Sequence, residues 1–372
     1  MLRVASAKVS ATGRVVAMKP FIRRSSVGGS QLLRSISKYS TSGSVKAFIP
    51  QASSLGLDKT VENNAKTDTN RLAKTLTKFW EKVDTHYDAT KDLYEVQLDG
   101  KTLKTPLGFP LALPSSKKQL AYLIANEWAN LPDLKIKTNM MPLTSIAARS
   151  IDLINIHEKE AGSEKNEMIA KVGDLDDIKF NMLRYLDTDT CLIFTTRDEY
   201  RGTLRKRQDE LYLPLIAEFE DFFTIFAHNK GLLPSEEAEI KLEYLDCETD
   251  GIRGNKQSIT TQNVVLQWLH LLPIYDLIAL EKAILTSKSF LCGVTLLRSN
   301  AAQSDPKLMK EVYQLNRDYV GDYYHKTVEE IVELGNMETI FQTREWGEVE
   351  DTHDVDKVDW LRNLTSAALL CH

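Results

Sequence analysis

The chain of 372 residues has a formal net charge of −5, with 42% hydrophobic and 27% charged residues. Its length allows about two domains, and its composition is that of a globular protein, which excludes collagen-like and low-complexity chains. The four cysteines are far apart and form no C-x-x-C pair, so a disulfide scaffold is excluded and neither a zinc site nor a dithiol site is indicated. These cysteines are Cys191, Cys247, Cys292 and Cys371.

The N-terminal segment differs in composition from the rest. Residues 1–45 contain eight Arg or Lys residues, ten Ser residues and no acidic residue, since the first carboxylate of the chain is Asp58. This pattern is typical of a mitochondrial transit peptide, with a basic disordered tail as the alternative. Without these eight cations the charge falls from −5 to −13, which argues against nonspecific binding to nucleic acid or anionic membranes. We therefore expect a mitochondrial matrix protein, without a membrane span and with residues 46–75 as a flexible linker.

The first folded segment, residues 76–177, is predicted to be a small α+β domain of strand hairpins and helices. Val96 and Leu98 lie in an alternating apolar pattern that ends at Asp99-Gly100, a strong signal for a two-residue hairpin turn. A second turn, a third strand and two amphipathic helices follow. The turn is Pro106-Leu107-Gly108, the strand spans 109–113, and the helices begin near Ser115 and at Pro142.

Residues 178–372 are predicted to form a mostly α-helical C-terminal domain with an acidic tail. A helical pattern over 204–226 contains Pro214, which predicts a kink or a break, and a second break is expected near Pro273. Thr327 starts a capping box that predicts the beginning of the last main helix. The fold class is therefore α+β, with the strands in the N-terminal part.

No motif in the sequence indicates catalysis. The chain lacks P-loop, dinucleotide-binding, zinc-protease, EF-hand and nucleophile-elbow motifs, so we predict no catalytic residue, no cofactor and no metal site. The acidic stretch 347–356 has no metal-loop spacing, and solvated charge or contact with a basic partner is favoured over a metal ion. The basic cluster over 197–207 is interpreted as a solvated helix face that pairs with this acidic tail, in preference to a phosphate site.

Glu338 has an unusual position on a helical wheel. If residues 328–346 form one continuous helix, Glu338 lies in an apolar arc between Ile331 and Leu334. A carboxylate among apolar side chains is costly unless it is paired. The wheel therefore predicts a cationic or N–H partner for Glu338, either inside the protein or on a bound chain. The alternative is that this arc lies partly in solvent and Glu338 is hydrated.

Several short motifs follow one another in order along residues 79–350. They are Phe79-Trp80, Leu98-Asp99-Gly100-Lys101, Lys104-Thr105-Pro106, Glu127-Trp128, Met141-Pro142-Leu143-Thr144 and Gln342 followed by Trp346-Gly347. In this collinear order the chain resembles the F1-ATPase assembly chaperone family that acts on the α subunit. The family's arrangement, an N-terminal α+β domain followed by a helical domain, agrees with the pattern described above.

The resemblance implies a function without catalysis, namely binding of the unassembled F1 α subunit in the mitochondrial matrix. It places the family's functional acidic residue at Glu338, and we expect Glu338, Gln342 and Trp346 to bind the partner. The chain departs from the family at Met337, where an acidic residue is usual, and in an insertion-like segment over 229–260.

Three other interpretations remain open. The chain could be a structural adaptor of the ATP synthase, or a hydrolase that uses carboxylates such as Glu338 and Glu127. Glu338 could also stabilise the packing of the second domain instead of contacting a partner.

Overall fold

The computed structural model describes residues 78–131, 140–302, 305–315, 325–350 and 352–372. The predicted transit peptide, residues 1–45, and the predicted linker, residues 46–75, lie outside the described residues. The described residues belong to one compact unit. Within it, a continuous cluster of buried apolar side chains extends from Val96 to Cys371.

A small antiparallel sheet opens the described chain, with β2 at its centre. The strands are Val83–Asp88 (β1), Leu93–Leu98 (β2), Lys101–Thr102 (β3) and Ala112–Pro114 (β4), and β2 pairs with each of the other three. The predicted hairpin turn is confirmed, because Asp99 and Gly100 have φ values of 47° and 77°, as a type I′ turn requires. Strand β1 had no counterpart among the predicted elements.

Helices make up most of the remaining structure, which confirms the predicted fold class. They are Lys118–Ala129 (α1), Pro142–Glu158 (α2), Ser163–Val172 (α3), Leu175–Asp187 (α4), Thr203–Lys230 (α5), Ile259–His270 (α6), Ile274–Ser287 (α7), Phe290–Asn300 (α8), Pro306–Glu311 (α9), Val328–Gly335 (α10), Met337–Trp346 (α11) and His353–Cys371 (α12). Two short strands, Ile193–Phe194 (β5) and Leu245–Asp246 (β6), pair in parallel. None of the described helices has the length and apolarity that crossing a bilayer requires.

The two proline positions behave differently. Pro273 separates α6 from α7 as predicted. At Pro214, where a kink or a break is predicted, there is no break, since α5 continues through this residue to Lys230. A proline inside a helix costs about 3 kcal/mol, but α5 buries a long apolar face that includes Phe219 and Phe223, and this burial outweighs the lost hydrogen bond.

The end of the chain differs from the predicted single last helix. The Thr327 capping box is present, but α10 ends at Gly335, and α11 and α12 follow. Helix α12 packs on α7 and α2 and buries Trp360 and Leu364. The first turn of α12 contains Asp354 and Asp356, acidic residues that stabilise the positive N-terminal end of a helix dipole.

Candidate functional site

Helix α11 brings the three predicted partner-binding residues to one exposed face. Glu338, Gln342 and Trp346 are spaced four residues apart and therefore share a side of the helix. Glu338 is exposed, and Trp346 is 74% exposed, an unusual degree for the largest apolar side chain. Gly347, with φ of 89°, ends the helix directly after Trp346.

The predicted position of Glu338 inside an apolar arc is wrong. Asn336 ends α10 with φ of −110° and ψ of 21°, so the wheel of one continuous helix does not apply. The buried residues in this region are Ile331, Leu334 and Met337, at 0–1% exposure. Glu338 lies on the solvent side, and its carboxylate accepts a hydrogen bond of 3.0 Å from Gln342 Nε2. This bond orients the carboxylate along the face of α11.

Tyr200 completes the face from a distant part of the chain. Its ring centroid lies 5.9 Å from that of Trp346 and 6.1 Å from that of Phe341. Burial raises the pKa of the Tyr200 phenol and the negative charge of Glu338 raises it further, whereas the Gln342 side chain lowers it. We call the surface formed by Tyr200, Glu338, Gln342 and Trp346 the α11 face.

An unusual backbone conformation places Tyr200 at this position. Tyr200 and Arg201 have φ values of 48° and 57°, and Gly202 has φ of 77°. A left-handed conformation costs about 1–2 kcal/mol for a residue with a side chain. The Thr203 hydroxyl donates a hydrogen bond of 2.6 Å to the Tyr200 carbonyl and stabilises the turn. Strain of this kind persists where the surrounding structure requires it, often at functional sites.

The helices beneath the face are firmly attached to the core. The Tyr212 hydroxyl on α5 donates a hydrogen bond of 2.8 Å to the carbonyl of Leu334, and Arg207 forms an ion pair of 2.8 Å with Glu333. A Cβ atom on Gly335 would lie 3.0 Å from the Trp360 ring, so α10 and α12 approach too closely for a larger residue. Helix α10, which directly precedes the α11 face, is therefore held between α5 and α12.

The basic cluster over 197–207 is paired, but not with the predicted acidic tail. Arg205 is nearly buried and forms ion pairs of 2.7 Å with Asp246 and 2.8 Å with Asp209. The Arg205 guanidinium holds the pKa of Asp246 at about 2. The other cations of the cluster also lie beside carboxylates: Arg197 pairs with Glu248, Arg201 with Glu345, Lys206 with Glu210, and Arg207 with Glu333 and Glu210. These carboxylates precede residue 347, so among the described residues the cluster pairs with other carboxylates than the predicted ones of 347–356.

Glu127, the second carboxylate considered for catalysis, caps a helix. It accepts hydrogen bonds from the backbone N–H groups of Leu143 and Thr144, at 2.9 and 2.8 Å, and from the Thr144 hydroxyl, at 2.7 Å. These groups lie in the first turn of α2, where backbone donors lack partners within the helix. Burial raises the pKa of Glu127. Among the described residues, no cluster of three or more His, Cys, Asp or Glu side chains could hold a metal ion.

The α11 face has the groups needed to bind a cationic side chain. The oriented carboxylate of Glu338 can accept charge-assisted hydrogen bonds, and the rings of Trp346 and Tyr200 can contact an ammonium or guanidinium group through cation–π interactions. The exposed ring of Trp346 also offers apolar area, which is typical of the residues that dominate protein–protein binding.

Comparisons with known proteins give consistent results along most of the chain. A family model described as ATP12 chaperone protein matches residues 77–220. The chain is 43% identical to protein ATP12, mitochondrial, of Saccharomyces cerevisiae over 86% of this chain and 90% of that protein. It is 29% identical to the mitochondrial protein atp12 of Schizosaccharomyces pombe over 79% of this chain and 81% of that protein.

Solved structures share the fold. The crystal structure of Atp12 from Paracoccus denitrificans matches with a TM-score of 0.52 and 20% identity, over 80% of this chain and 99% of that chain. A putative chaperone from Agrobacterium tumefaciens matches with a TM-score of 0.52 and 19% identity, over 79% of this chain and 84% of that chain. At this identity the likeness concerns the fold alone.

Proposed function

Because the chain belongs to the ATP12 chaperone family, we propose that it binds the free α subunit of F1-ATPase in the mitochondrial matrix and holds it until the β subunit docks. Two curated relatives are named as mitochondrial proteins. The basic, acid-free composition of residues 1–45 supports import into the same organelle.

The proposed action is physical and requires no covalent step. An unassembled subunit exposes apolar surface that is buried only in the finished complex, and such surface aggregates. A chaperone that covers this surface lowers the concentration of bare subunit. It must also release its client, so an interface of moderate affinity with a polar component fits better than a large apolar one.

The α11 face is the observation that carries this proposal. Trp346 is 74% exposed and lies beside Tyr200, so an apolar surface is presented to solvent next to an oriented carboxylate. We propose that Glu338 receives a cationic or N–H group of the α subunit, and that Gln342 and Trp346, one and two turns further along the same face, complete the contact. An exposed side chain whose carboxylate accepts a hydrogen bond from Gln342 of the same helix supports this contact over a role of Glu338 in internal packing.

Variants of Glu338 test the proposal. We expect Glu338→Lys to abolish protection of purified F1 α from aggregation, measured by light scattering, because it places like charges in contact. Glu338→Gln should weaken protection, and the melting temperature of both variants should stay unchanged. Glu237→Lys, the same charge change at an exposed loop position, is the matched control and should protect α as the wild type does.

Two results would contradict the proposal. If Glu338→Lys protects α fully, the α11 face is not the contact. If the melting temperature falls sharply, Glu338 serves internal packing.

A capture experiment separates the other functional classes. Tagged protein incubated in matrix extract should recover the F1 α subunit without β. Recovery of the whole ATP synthase instead would favour a structural adaptor.

A further inference from the structure

A second surface, built from helices other than α11, combines an apolar groove with a basic pocket. The groove has a volume of about 440 Å³ and lies between the end of α1, the start of α2 and the outer side of α12. Its apolar lining is formed by Leu143, Val358, Leu361 and Leu369. Val358 is 58% exposed, so the groove presents apolar surface that the described part of the protein leaves uncovered.

The basic pocket adjoins the groove, and Pro142 lines both. It has a volume of about 230 Å³ and lies between α2, α7 and α12. Arg149 and Lys282 line it, and Arg362 lines the groove next to Asn363, a further residue of the pocket. An occupant of the groove would therefore lie beside these cationic side chains.

The cations of this region, Arg149, Lys282 and Arg362, lie near three carboxylates, of which Glu127 lines the groove and accepts its hydrogen bonds from the first turn of α2. Arg149 pairs with Glu281 at 3.0 Å, and Arg362 pairs with Asp359. The Nε atoms of both arginines are buried and make no hydrogen bond. Among the described residues, Lys282 has no carboxylate oxygen within 4.0 Å of its Nζ atom.

The surroundings of Lys282 disfavour its charge. The side chain is half-buried. Burial lowers the pKa of the Lys282 ammonium, and the neighbouring positive charges of Arg362 and Arg149 lower it further, although Asp359 and Glu281 oppose the shift. A half-buried cation without a partner is stabilised when an anion binds beside it.

We propose that this surface is a second client contact, in which an acidic side chain of the client binds to Lys282 and an adjacent apolar side chain fills the groove. This inference rests on the proposed chaperone function. A free inorganic anion would satisfy only the basic pocket, whereas a polypeptide segment with a carboxylate next to a large apolar side chain fills both parts. The α11 face favours a cationic group and this surface an anionic one, so two contacts of opposite charge would fix the orientation of the client and raise the overall affinity.

Substitution of Lys282 tests the contact directly. We expect Lys282→Gln in the full chain to weaken binding of purified F1 α about tenfold, the loss expected for one charge-assisted hydrogen bond, and Lys282→Glu to weaken it further. The melting temperature of Lys282→Gln should not fall, because the substitution removes a repulsion between cations. Lys357→Gln and Lys357→Glu change an exposed lysine of α12 that lines neither pocket and should leave binding unchanged.

Photocrosslinking identifies the occupant. A benzoylphenylalanine at Val358 should crosslink to a segment of α that contains Asp or Glu next to an apolar residue. A crosslink to a second copy of this chain, or to a segment of α without an acidic residue, would overturn the proposal.

If the wild type binds α and Lys282→Glu binds it equally well, the second contact is refuted and the chaperone function stands. If the wild type does not bind α, both proposals fail.

Discussion

Asp189 is a buried carboxylate whose ionisation should control the pH dependence of stability. It has 0% exposure and lies where the chain leaves α4 and meets the start of α8. Its two oxygens accept hydrogen bonds of 2.8 Å each from the backbone N–H groups of Cys191 and Leu291. Burial nevertheless outweighs these bonds and raises the pKa of Asp189 from 3.8 to about 6.

The sign and size of the effect follow from this shift. Because the folded state holds the proton more tightly than the unfolded state, the contribution of Asp189 is full below pH 3.8 and is lost as the pH rises through about 6. A shift of about two pKa units corresponds to about 3 kcal/mol of unfolding free energy. Asp189→Asn removes the titration but retains one acceptor oxygen. Between pH 4 and pH 7 the unfolding free energy of the wild type should therefore fall by about 2 kcal/mol relative to that of the variant, because at pH 4 the unfolded state is already partly ionised.

Urea unfolding of the wild type and of Asp189→Asn between pH 4 and pH 7 measures the difference between their unfolding free energies. Asp246→Asn is the control. Because the pKa of Asp246 is about 2, the unfolding free energies of Asp246→Asn and the wild type should differ by a constant amount between pH 5 and pH 7. A difference between Asp189→Asn and the wild type that does not change with pH would show that Asp189 is ionised equally in the folded and unfolded states, and would refute the reasoning.

Two further predictions concern stability. Gly293→Ala should destabilise the protein by about 1–3 kcal/mol, because a Cβ atom would lie 2.5 Å from Ile284 Cγ1. Thermal melting followed by circular dichroism measures this, and Gly254→Ala, with no atom within 4 Å of the new Cβ, should change stability by less than about 0.5 kcal/mol. Arg205→Met should cost about 3 kcal/mol by leaving Asp246 without its main partner. The double variant with Asp246→Leu should recover most of this loss in urea unfolding, and failure to do so would show that the ion pair is not the cause.

Local signals in the sequence predicted the structure well. The Asp99-Gly100 turn, the break at Pro273 and the capping box at Thr327 depend on the backbone preferences of a few neighbouring residues. The grouping of Glu338 and Gln342 on one face also follows from helical spacing. For these features, the information lies within a few residues of the chain.

Features that depend on tertiary contacts could not be predicted in this way. Pro214 is tolerated because α5 is held by its buried apolar face, which outweighs the local preference. The exposure of Glu338 follows from the break at Asn336, a residue that does not by itself specify a helix end. Tyr200 gave no signal, because it reaches the α11 face through contacts between segments distant in sequence and through a left-handed backbone that Tyr and Arg rarely adopt.

The central claim is that this protein reversibly covers a client subunit. Its most direct test is to keep purified F1 α at a temperature where it aggregates, with and without an equimolar amount of the full chain, and to measure the α that remains in the supernatant after centrifugation. The account predicts that α stays in solution in a complex with the chain and that added β subunit displaces the chain from it. If α pellets to the same extent in both samples while the chain itself stays folded, the account is contradicted.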